Sequence, residues 1–323
     1  MPLEPHRNSF LALDPHGFHR VAIYEWGDPR QHHVVVCVHG LTRNGRDFDI
    51  LATHLAQHCR VVSMDVVGRG ASEWLVHKGD YGFPLYLADA ATLIALVSQP
   101  IKPGPSASFI RRLTGHGGAP FIDWVGTSMG GLIGMVLASR TNSPIRRLVL
   151  NDVGPFISWQ ALANLKGRRA AGDAPFSDIA EVERHIRQEC ADFGPLTDEQ
   201  WTHVAEHSVE RLDDGRYAPA WDPAVIRPRV AAGQPEVIEF GSDFLLGVDL
   251  WPVWNAVRCP TLVLRGAESG VLSAATADRM RNSGPPTRIV EFAGIGHAPW
   301  LMGNDQTDAI CDFLFAPDAQ IVG

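Results

Sequence analysis

Residues 126–130 read Gly-Thr-Ser-Met-Gly and place one serine between two glycines. An apolar stretch precedes them and a longer one follows, which predicts a strand, a tight turn at Ser128 and a helix. A serine on such a turn has strained backbone geometry and an exposed hydroxyl, which can act as a nucleophile. Glycine and serine are common in ordinary turns, so the apolar flanks rather than the five residues alone favour a nucleophile.

A serine hydroxyl is inert at neutral pH and needs a general base. The candidate is His297, which follows the last predicted strand within the stretch Gly-Ile-Gly-His-Ala-Pro. No other histidine of the sequence has this placement. The order of serine, then acid, then histidine along the chain is typical of strand-turn-helix nucleophiles. We therefore predict that Ser128 and His297 act together.

Backbone N–H groups can stabilise the negative charge that develops on a carbonyl oxygen under attack, and each donor typically contributes a few kcal/mol. Residues 39–41, His-Gly-Leu, follow the β-branched run 34–38, and the glycine lets the backbone approach a substrate closely. We predict that the N–H groups of Leu41 and Met129, the residue after the nucleophile, form this oxyanion hole.

The elements that must position these residues form an α/β pattern, in which short apolar runs alternate with amphipathic stretches. A polar, Pro- and Gly-rich connector is predicted at residues 100–120. The predicted strands are residues 21–26, 34–38, 60–64, 121–125, 147–150, 261–264 and 288–292. The predicted helices are residues 48–58, 85–97, 129–139, 274–281 and 306–315.

Between about residues 155 and 255 the strand pattern stops and helical periodicity replaces it, as in residues 179–190 and 198–211. This segment contains five of the nine tryptophans, namely Trp159, Trp201, Trp221, Trp251 and Trp254. The simplest organisation is one α/β core, made of residues 1–154 and 256–323, with a helical insertion of residues 155–255. We call residues 155–255 the insert.

Four stretches of the sequence resemble the signature motifs of the α/β-hydrolase superfamily, in the correct order. They are His39-Gly40, residues 65–72 (Asp-Val-Val-Gly-Arg-Gly-Ala-Ser), residues 126–131 and Gly296-His297. Residues 151–155 further resemble bacterial carboxylesterase-like members. The resemblance implies an eight-stranded, mostly parallel sheet, and it implies that the insert is a helical cap. Serine at the nucleophile position argues against the haloalkane dehalogenase and epoxide hydrolase branches, which use aspartate there.

The acid that would orient His297 departs from the family pattern. The family usually places an aspartate three or four residues beyond Gly266, where this sequence has Ser269 and Gly270. Two carboxylates remain: Glu268, whose longer side chain would have to compensate, and Asp152, at a neighbouring strand end that some relatives use. Either could hold the imidazole in place. We favour Asp152 and keep Glu268 as the alternative.

Charge and cysteine content exclude several classes of function. The formal net charge is -8, so nucleic acid is not a predicted partner. The five cysteines are odd in number and form no Cys-x-x-Cys pair, which favours a reducing compartment. The first thirteen residues lack a signal-peptide core, and no apolar run is long enough to span a bilayer. We therefore predict a soluble cytoplasmic protein with no membrane partner.

No cofactor or metal is predicted. Residues 65–72 contain glycines but lack the lysine of a phosphate-binding loop. Residues 203–207 read His-Val-Ala-Glu-His, a pattern that puts two histidines on one helix face, but the sequence offers no third metal ligand. A polar helix face is the simpler interpretation of that pattern.

These residues predict a serine hydrolase that cleaves small, largely apolar carboxylic esters through an acyl-enzyme on Ser128. Hydrolysis of a carbon–carbon bond or of a lactone would use the same residues and remains an alternative. A non-catalytic protein that binds a small molecule is the alternative from a different class. The sequence predicts no oligomeric state.

Overall fold

The computed structural model describes residues 2–99, 120–158, 175–226 and 248–317. The strands in these ranges are β1 (His6–Asp14), β2 (Gly17–Trp26), β3 (His33–Val38), β4 (Arg60–Met64), β5 (Phe121–Thr127), β6 (Ile145–Asn151), β7 (Phe156–Ile157), β8 (Val209–Arg211), β9 (Tyr217–Pro219), β10 (Val248–Asp249), β11 (Thr261–Gly266) and β12 (Thr287–Phe292). The α-helices are α1 (Asp49–Leu55), α2 (Phe83–Val97), α3 (Met129–Ala138), α4 (Ile179–Glu189), α5 (Asp198–His207), α6 (Trp251–Ala256), α7 (Ala274–Arg281) and α8 (Asn304–Phe315).

Eight strands form one sheet in the order β1-β2-β4-β3-β5-β6-β11-β12. The six strands from β4 to β12 run parallel, and the β1-β2 hairpin pairs antiparallel at one edge. This confirms the eight-stranded, mostly parallel sheet that the resemblance to α/β-hydrolases implies. β3 is buried along its whole length because helices cover both faces of the sheet, which explains its run of valines.

The carboxyl ends of four strands meet at one edge of this sheet. Val38 of β3 pairs with Gly126 of β5, and Asn151 of β6 pairs with both Thr127 of β5 and Leu264 of β11. In open α/β sheets, ligands bind outside the carboxyl ends of the strands. The loops that follow β3, β5, β6 and β11 are therefore brought together where a site is expected.

Two elements differ from the sequence prediction at the N-terminal half. β1 is not predicted, because only Phe10 and Ala12 of this edge strand face the core and its first four residues are exposed. The helix predicted at residues 48–58 is a 3₁₀ turn, Gly45–Phe48, followed by the shorter α1. The connector predicted at residues 100–120 lies outside the described residues apart from Pro120.

The insert lies between β6 and β11, which are neighbours in the sheet. α4 and α5 form there, and Thr197 begins α5 with a capping box to Gln200. The expectation that the strand pattern stops in the insert is wrong, because β8 pairs with β9 and β7 with β10. The helix predicted to reach residue 211 ends at His207. Trp159 lies outside the described residues, and the boundaries of the insert at 155 and 255 stay a prediction.

Two apolar clusters fill the two sides of the sheet, and a third joins the insert to the core. In the third cluster, Trp201 of α5 packs edge-on against Trp300, which follows His297, with ring centroids 5.8 Å apart. Val182 and Ile186 of α4 belong to the same cluster. Burial of these side chains fixes the insert against the loop that carries His297.

Among the described residues, no helix has both the length and the hydropathy needed to cross a membrane.

Candidate active site

Ser128 occupies the turn between β5 and α3 with a positive φ of 51° and ψ of -113°. The turn is tight: a Cβ on Gly126 would lie 2.3 Å from the carbonyl oxygen of Gly130, and a Cβ on Gly130 would lie 2.0 Å from that of Val38. Only glycine fits at both positions, which explains the spacing of the motif in physical terms. The surrounding structure holds Ser128 in a conformation that few non-glycine residues adopt.

His297 lies directly beside Ser128 and is 8% exposed. Its Nε2 is 3.0 Å from the Ser128 Oγ, and its Nδ1 is 2.7 Å from Oδ2 of Asp152. A carboxylate can only accept a hydrogen bond, so Nδ1 carries the proton and Nε2 turns its lone pair toward the serine hydroxyl. The structure thus brings Ser128, His297 and Asp152 into one hydrogen-bonded chain.

Asp152 is fully buried just beyond the end of β6, with a φ of 55°. Its Oδ1 accepts a hydrogen bond from the backbone N–H of Gly266 at 2.9 Å, and its Oδ2 accepts one from the Ser269 hydroxyl at 2.5 Å. The backbone N–H of Asp152 donates to the Leu264 carbonyl at 2.8 Å. These bonds anchor Asp152 to β11 and aim its carboxylate at His297.

Glu268, the alternative acid, is exposed to solvent, while the carboxylate on Nδ1 of His297 belongs to Asp152. Ser269 is a residue of the site that the sequence reasoning set aside, because a hydroxyl cannot replace a carboxylate. Its Oγ also accepts the backbone N–H groups of Val271 and Leu272, at 3.1 and 3.0 Å. Serine at the family's usual acid position, together with an aspartate after β6, was the signal for this pairing.

Asn151 is a second residue that the sequence reasoning missed. Its Nδ2 donates to the Thr127 hydroxyl at 3.0 Å and to the Pro299 carbonyl at 2.8 Å. Asn151 is fully buried at the end of β6. It therefore connects the turn of Ser128 to the loop of His297, and these two bonds help to fix the position of one relative to the other.

Buried side chains fix the backbone turn that follows β3. Nδ1 of His39 donates to the Gly40 carbonyl at 2.6 Å, and its Nε2 accepts the N–H of Val66 at 2.9 Å. Burial lowers the pKa of His39 to about 4, so the ring is neutral at pH 7, as this donor-and-acceptor pattern requires. Nε of Arg69 donates to the Leu41 carbonyl at 2.9 Å. Both peptides of the turn are thereby held in place.

The two predicted oxyanion donors stand on either side of Ser128. A Cβ on Gly40 would lie 3.8 Å from the Cβ of Ser128, so the turn that leads into Leu41 passes close to Ser128. Met129 is the first residue of α3, where backbone N–H groups lack a partner within the helix. Their role as oxyanion donors stays a prediction.

A cavity of about 180 Å³ opens above Ser128 and His297. The core contributes its floor through the turn after β3 and the turn of Ser128. The insert contributes the opposite wall, which combines apolar side chains with a few polar ones. The wall residues from the insert are Phe176, Val182, His185, Ile186, Glu189, Cys190, Phe193, Ser208, Val209, Pro219 and Trp221.

The turn after β3 is also fastened to the end of α5. Nη1 of Arg43, a cavity residue, donates to the Ser208 hydroxyl at 2.9 Å, and Nδ2 of Asn44 donates to the His207 carbonyl at 2.6 Å. Asp47 holds the Arg43 guanidinium from its other side at 2.9 and 2.5 Å. Core and insert therefore meet through directional bonds at the cavity itself.

Comparison with known proteins finds the same fold and related enzymes. The chain is 37% identical over 302 residues to a 3-hydroxybutyrate-oligomer hydrolase of Cupriavidus necator, covering 93% of this chain and 94% of that protein. It is 25% identical to a 2-(acetamidomethylene)succinate hydrolase of Mesorhizobium japonicum, covering 80% and 79%. A solved α/β-hydrolase structure from Novosphingobium aromaticivorans superposes with a TM-score of 0.76 at 30% identity, covering 96% and 98%. Because the model of the alpha/beta hydrolase family also matches residues 35–312, the chain belongs to that family.

Proposed function

We propose that this hydrolase is a serine esterase with Ser128 as nucleophile, His297 as general base and Asp152 as the orienting acid. The observation that supports this best is the hydrogen-bonded chain from Ser128 Oγ through both His297 nitrogens to Asp152. Ser128 and His297 also line the cavity, where a substrate could reach them. A base within hydrogen-bond reach of the nucleophile, itself oriented by a third group, is the arrangement that activates a serine.

In the proposed reaction, the Ser128 oxygen attacks the ester carbonyl while Nε2 of His297 takes the hydroxyl proton. The resulting imidazolium is stabilised by Asp152 across 2.7 Å. His297 then returns the proton to the departing alkoxide, which leaves as an alcohol, and the acyl group remains on Ser128. A water molecule, deprotonated by the same histidine, releases the acid and restores the enzyme. This chemistry needs no cofactor or metal.

The N–H groups of Leu41 and Met129 would hold the oxyanion of the tetrahedral intermediate. His39 and Arg69 support this role because they fix the Gly40 and Leu41 carbonyls before substrate arrives. Donors that are already aligned do not have to reorganise as charge develops, which is why such donors lower the barrier by a few kcal/mol each.

For the substrate, we propose short esters of hydroxy acids, with oligomers of 3-hydroxybutyrate as the leading candidates. The relative that hydrolyses such oligomers covers nearly the whole chain. A cavity of about 180 Å³ suits an acyl unit of a few carbons. Cleavage would release one unit with a free hydroxyl and leave its neighbour as the acyl group on Ser128.

We further propose that the insert acts as the substrate-binding cap. Phe176, Val182, Ile186 and Trp221 supply an apolar wall opposite Ser128, whereas the reacting groups all belong to the core. Such a division would let the insert select the acyl or alcohol group without altering the bond-breaking step.

The test is hydrolysis of the 3-hydroxybutyrate dimer and trimer, followed by chromatography, beside p-nitrophenyl butyrate. We expect wild type to release monomer and Ser128→Ala to lose roughly 10⁴- to 10⁶-fold in turnover while its thermal unfolding is unchanged. A fluorophosphonate probe should label wild type and should not label this variant. A non-catalytic binding protein would not be labelled in either form.

Two outcomes would contradict parts of the proposal separately. If Ser128→Ala keeps more than a few per cent of the wild-type rate, the nucleophile is wrong. If wild type hydrolyses p-nitrophenyl butyrate through Ser128 but leaves the oligomers intact, the esterase assignment stands and the substrate class is wrong. Lactones and substrates with a hydrolysable carbon–carbon bond are then tested next, because the same three residues could catalyse their hydrolysis.

A further inference from the structure

A cluster of potential metal ligands lies where α5 of the insert meets α1 of the core. His203 and His207 stand one turn apart on α5, and Asp49 begins α1 opposite them. The sequence pattern His-x-x-Glu-His offers only two ligands on one helix face. The fold supplies a third from a distant part of the chain, and the glutamate of the pattern is exposed and takes no part.

The distances in this cluster are close to those of a metal site. One ligand atom from each of the three residues lies within 4.8 Å of the other two. A tetrahedral ion with ligands at about 2.1 Å keeps them about 3.4 Å apart. Nε2 of His203 is already 3.4 Å from Oδ2 of Asp49. The remaining contraction is at most about 1.4 Å, a distance that rotation of the side chains on α5 would have to supply.

The hydrogen bonds around His207 prepare its ring for a ligand. Its Nδ1 lies 2.8 Å from the backbone carbonyl oxygen of His203, and a carbonyl can only accept, so Nδ1 carries the proton. Nε2 therefore keeps its lone pair. A histidine that binds a metal through one nitrogen commonly donates its other N–H to a backbone carbonyl in this way.

His203 is held weakly by comparison. Its Nε2 lies 3.4 Å from the Arg46 carbonyl and 3.4 Å from Asp49 Oδ2, and both distances are long for a hydrogen bond. The side chain is 15% exposed, which gives an ion access from solvent. In the described part of the chain, neither of these two contacts is strong enough to keep the ring from turning toward a metal.

Asp49 is fully buried and pairs with Arg46, whose Nε donates to its two oxygens at 3.0 and 2.8 Å and whose Nη2 lies 2.7 Å from Oδ2. The carboxylate retains further lone pairs, and an outer hydrogen bond of this kind orients a ligating carboxylate. The positive charge of Arg46 weakens attraction for a cation, although Glu4 partly offsets it at 3.5 Å. The affinity should therefore be on the order of micromolar rather than nanomolar.

From this geometry we propose that Asp49, His203 and His207 form a binding site for a divalent transition-metal ion, with Zn²⁺ as the best fit and water as the fourth ligand. Two imidazoles and one carboxylate are a common zinc ligand set. The ion would join the core to the insert outside the reacting groups, so it would be structural and not part of ester hydrolysis. This inference does not depend on the proposed esterase activity.

The test is calorimetric titration of the EDTA-treated chain with Zn²⁺. Asp14, His16 and Asp80 form a second group of potential ligands near the surface, so the titration uses His16→Ala as its reference protein. We expect one ion per chain with a micromolar Kd, and a melting temperature raised by a few degrees at a hundredfold excess over Kd. Adding His207→Ala or His203→Gln should weaken binding at least tenfold.

Glu206→Gln is the matched control, because this residue lies between the two histidines on the exposed face of α5. Its affinity for Zn²⁺ should stay within about twofold of the reference. Absence of saturable binding by the reference protein overturns the proposal. Equal affinity in both histidine variants, each folded by circular dichroism, also overturns it because the ion would then sit elsewhere.

Discussion

β6 and β11 are neighbouring parallel strands that end side by side beneath His297, yet they contribute different groups to it. The β6 end places a fully buried carboxylate, Asp152, on the imidazole. The β11 end places an exposed carboxylate, Glu268, in solvent and turns the Ser269 hydroxyl inward onto Asp152. Both strand ends lie close to the histidine, so their distance from it does not separate them. They differ in which side chain is buried.

This contrast teaches that a fold can offer two positions for one chemical group. Here the carboxylate takes the first position, and the second is filled by donors that hold that carboxylate. The Gly266 N–H and the Ser269 hydroxyl both come from the β11 end. Each substitution below therefore tests whether the two ends have unequal roles, and how unequal they are.

Among the substitutions at these two strand ends, the largest effect is expected for Asp152→Asn. Both oxygens of Asp152 accept hydrogen bonds, whereas an amide has one acceptor oxygen and an NH2 group that can only donate. The imidazole would therefore lose its orientation and its preferred tautomer. Turnover of p-nitrophenyl butyrate should fall on the order of 10⁴-fold, as for the equivalent change in a serine protease. Stopped-flow or steady-state kinetics measure this loss, on variant protein whose unfolding temperature matches that of wild type.

Glu268→Gln is the control at the other strand end, and its turnover should stay within about twofold of wild type. The reverse ranking would move the acid to β11. Near wild-type rates in both variants would mean that Ser128 and His297 work as a dyad.

A smaller effect is expected when the carboxylate is moved between the strand ends. Ser269→Asp, added to Asp152→Asn, places an acid where the Ser269 hydroxyl now lies 2.5 Å from Asp152. We expect at least tenfold recovery over Asp152→Asn alone. Ser269→Asp in the wild-type background should lower turnover instead, because two carboxylates would then share one site. Absence of any recovery would show that β11 cannot supply the acid.

The smallest effect is expected for Ser269→Ala. It removes one hydrogen bond to Asp152 and leaves the N–H groups of Val271 and Leu272 without this acceptor. A bond to a charged group contributes roughly 1.5 kcal/mol, which corresponds to about a tenfold loss in turnover.

Ser273→Ala is the matched control for that loss. Ser273 caps α7 by accepting the N–H of Thr276, so its loss should cost about 1 kcal/mol in unfolding free energy and leave turnover unchanged. Equal turnover in both serine variants would mean that Ser269 has only a structural role.

The parts of the site that depend on local sequence were predictable. The turn at Ser128 follows from Gly126 and Gly130, whose neighbours leave no room for a Cβ. The sheet followed from its apolar strands, since parallel strands buried on both faces have a distinct composition. His297 followed from its place after the last strand.

The parts that depend on contacts between distant segments were not predictable in the same way. Asp152 and Glu268 were both candidates because the choice depends on how β6 and β11 pair and on which side chain is buried. β8 and β9 have three residues each, which is too short for a periodic pattern. The grouping of Asp49 with His203 likewise exists only once α5 packs on the core.

The bonds from Arg43 and Asn44 to the end of α5 bear on how such enzymes can be recombined. An insert grafted from a relative would break both bonds unless the end of its helix equivalent to α5 presents a hydroxyl and a free backbone carbonyl at the same places. The turn beside Ser128 would then lose two of its anchors, although no residue of the core had changed. A chimera designed on this scaffold should therefore take residues 43–44 and the insert from the same parent protein.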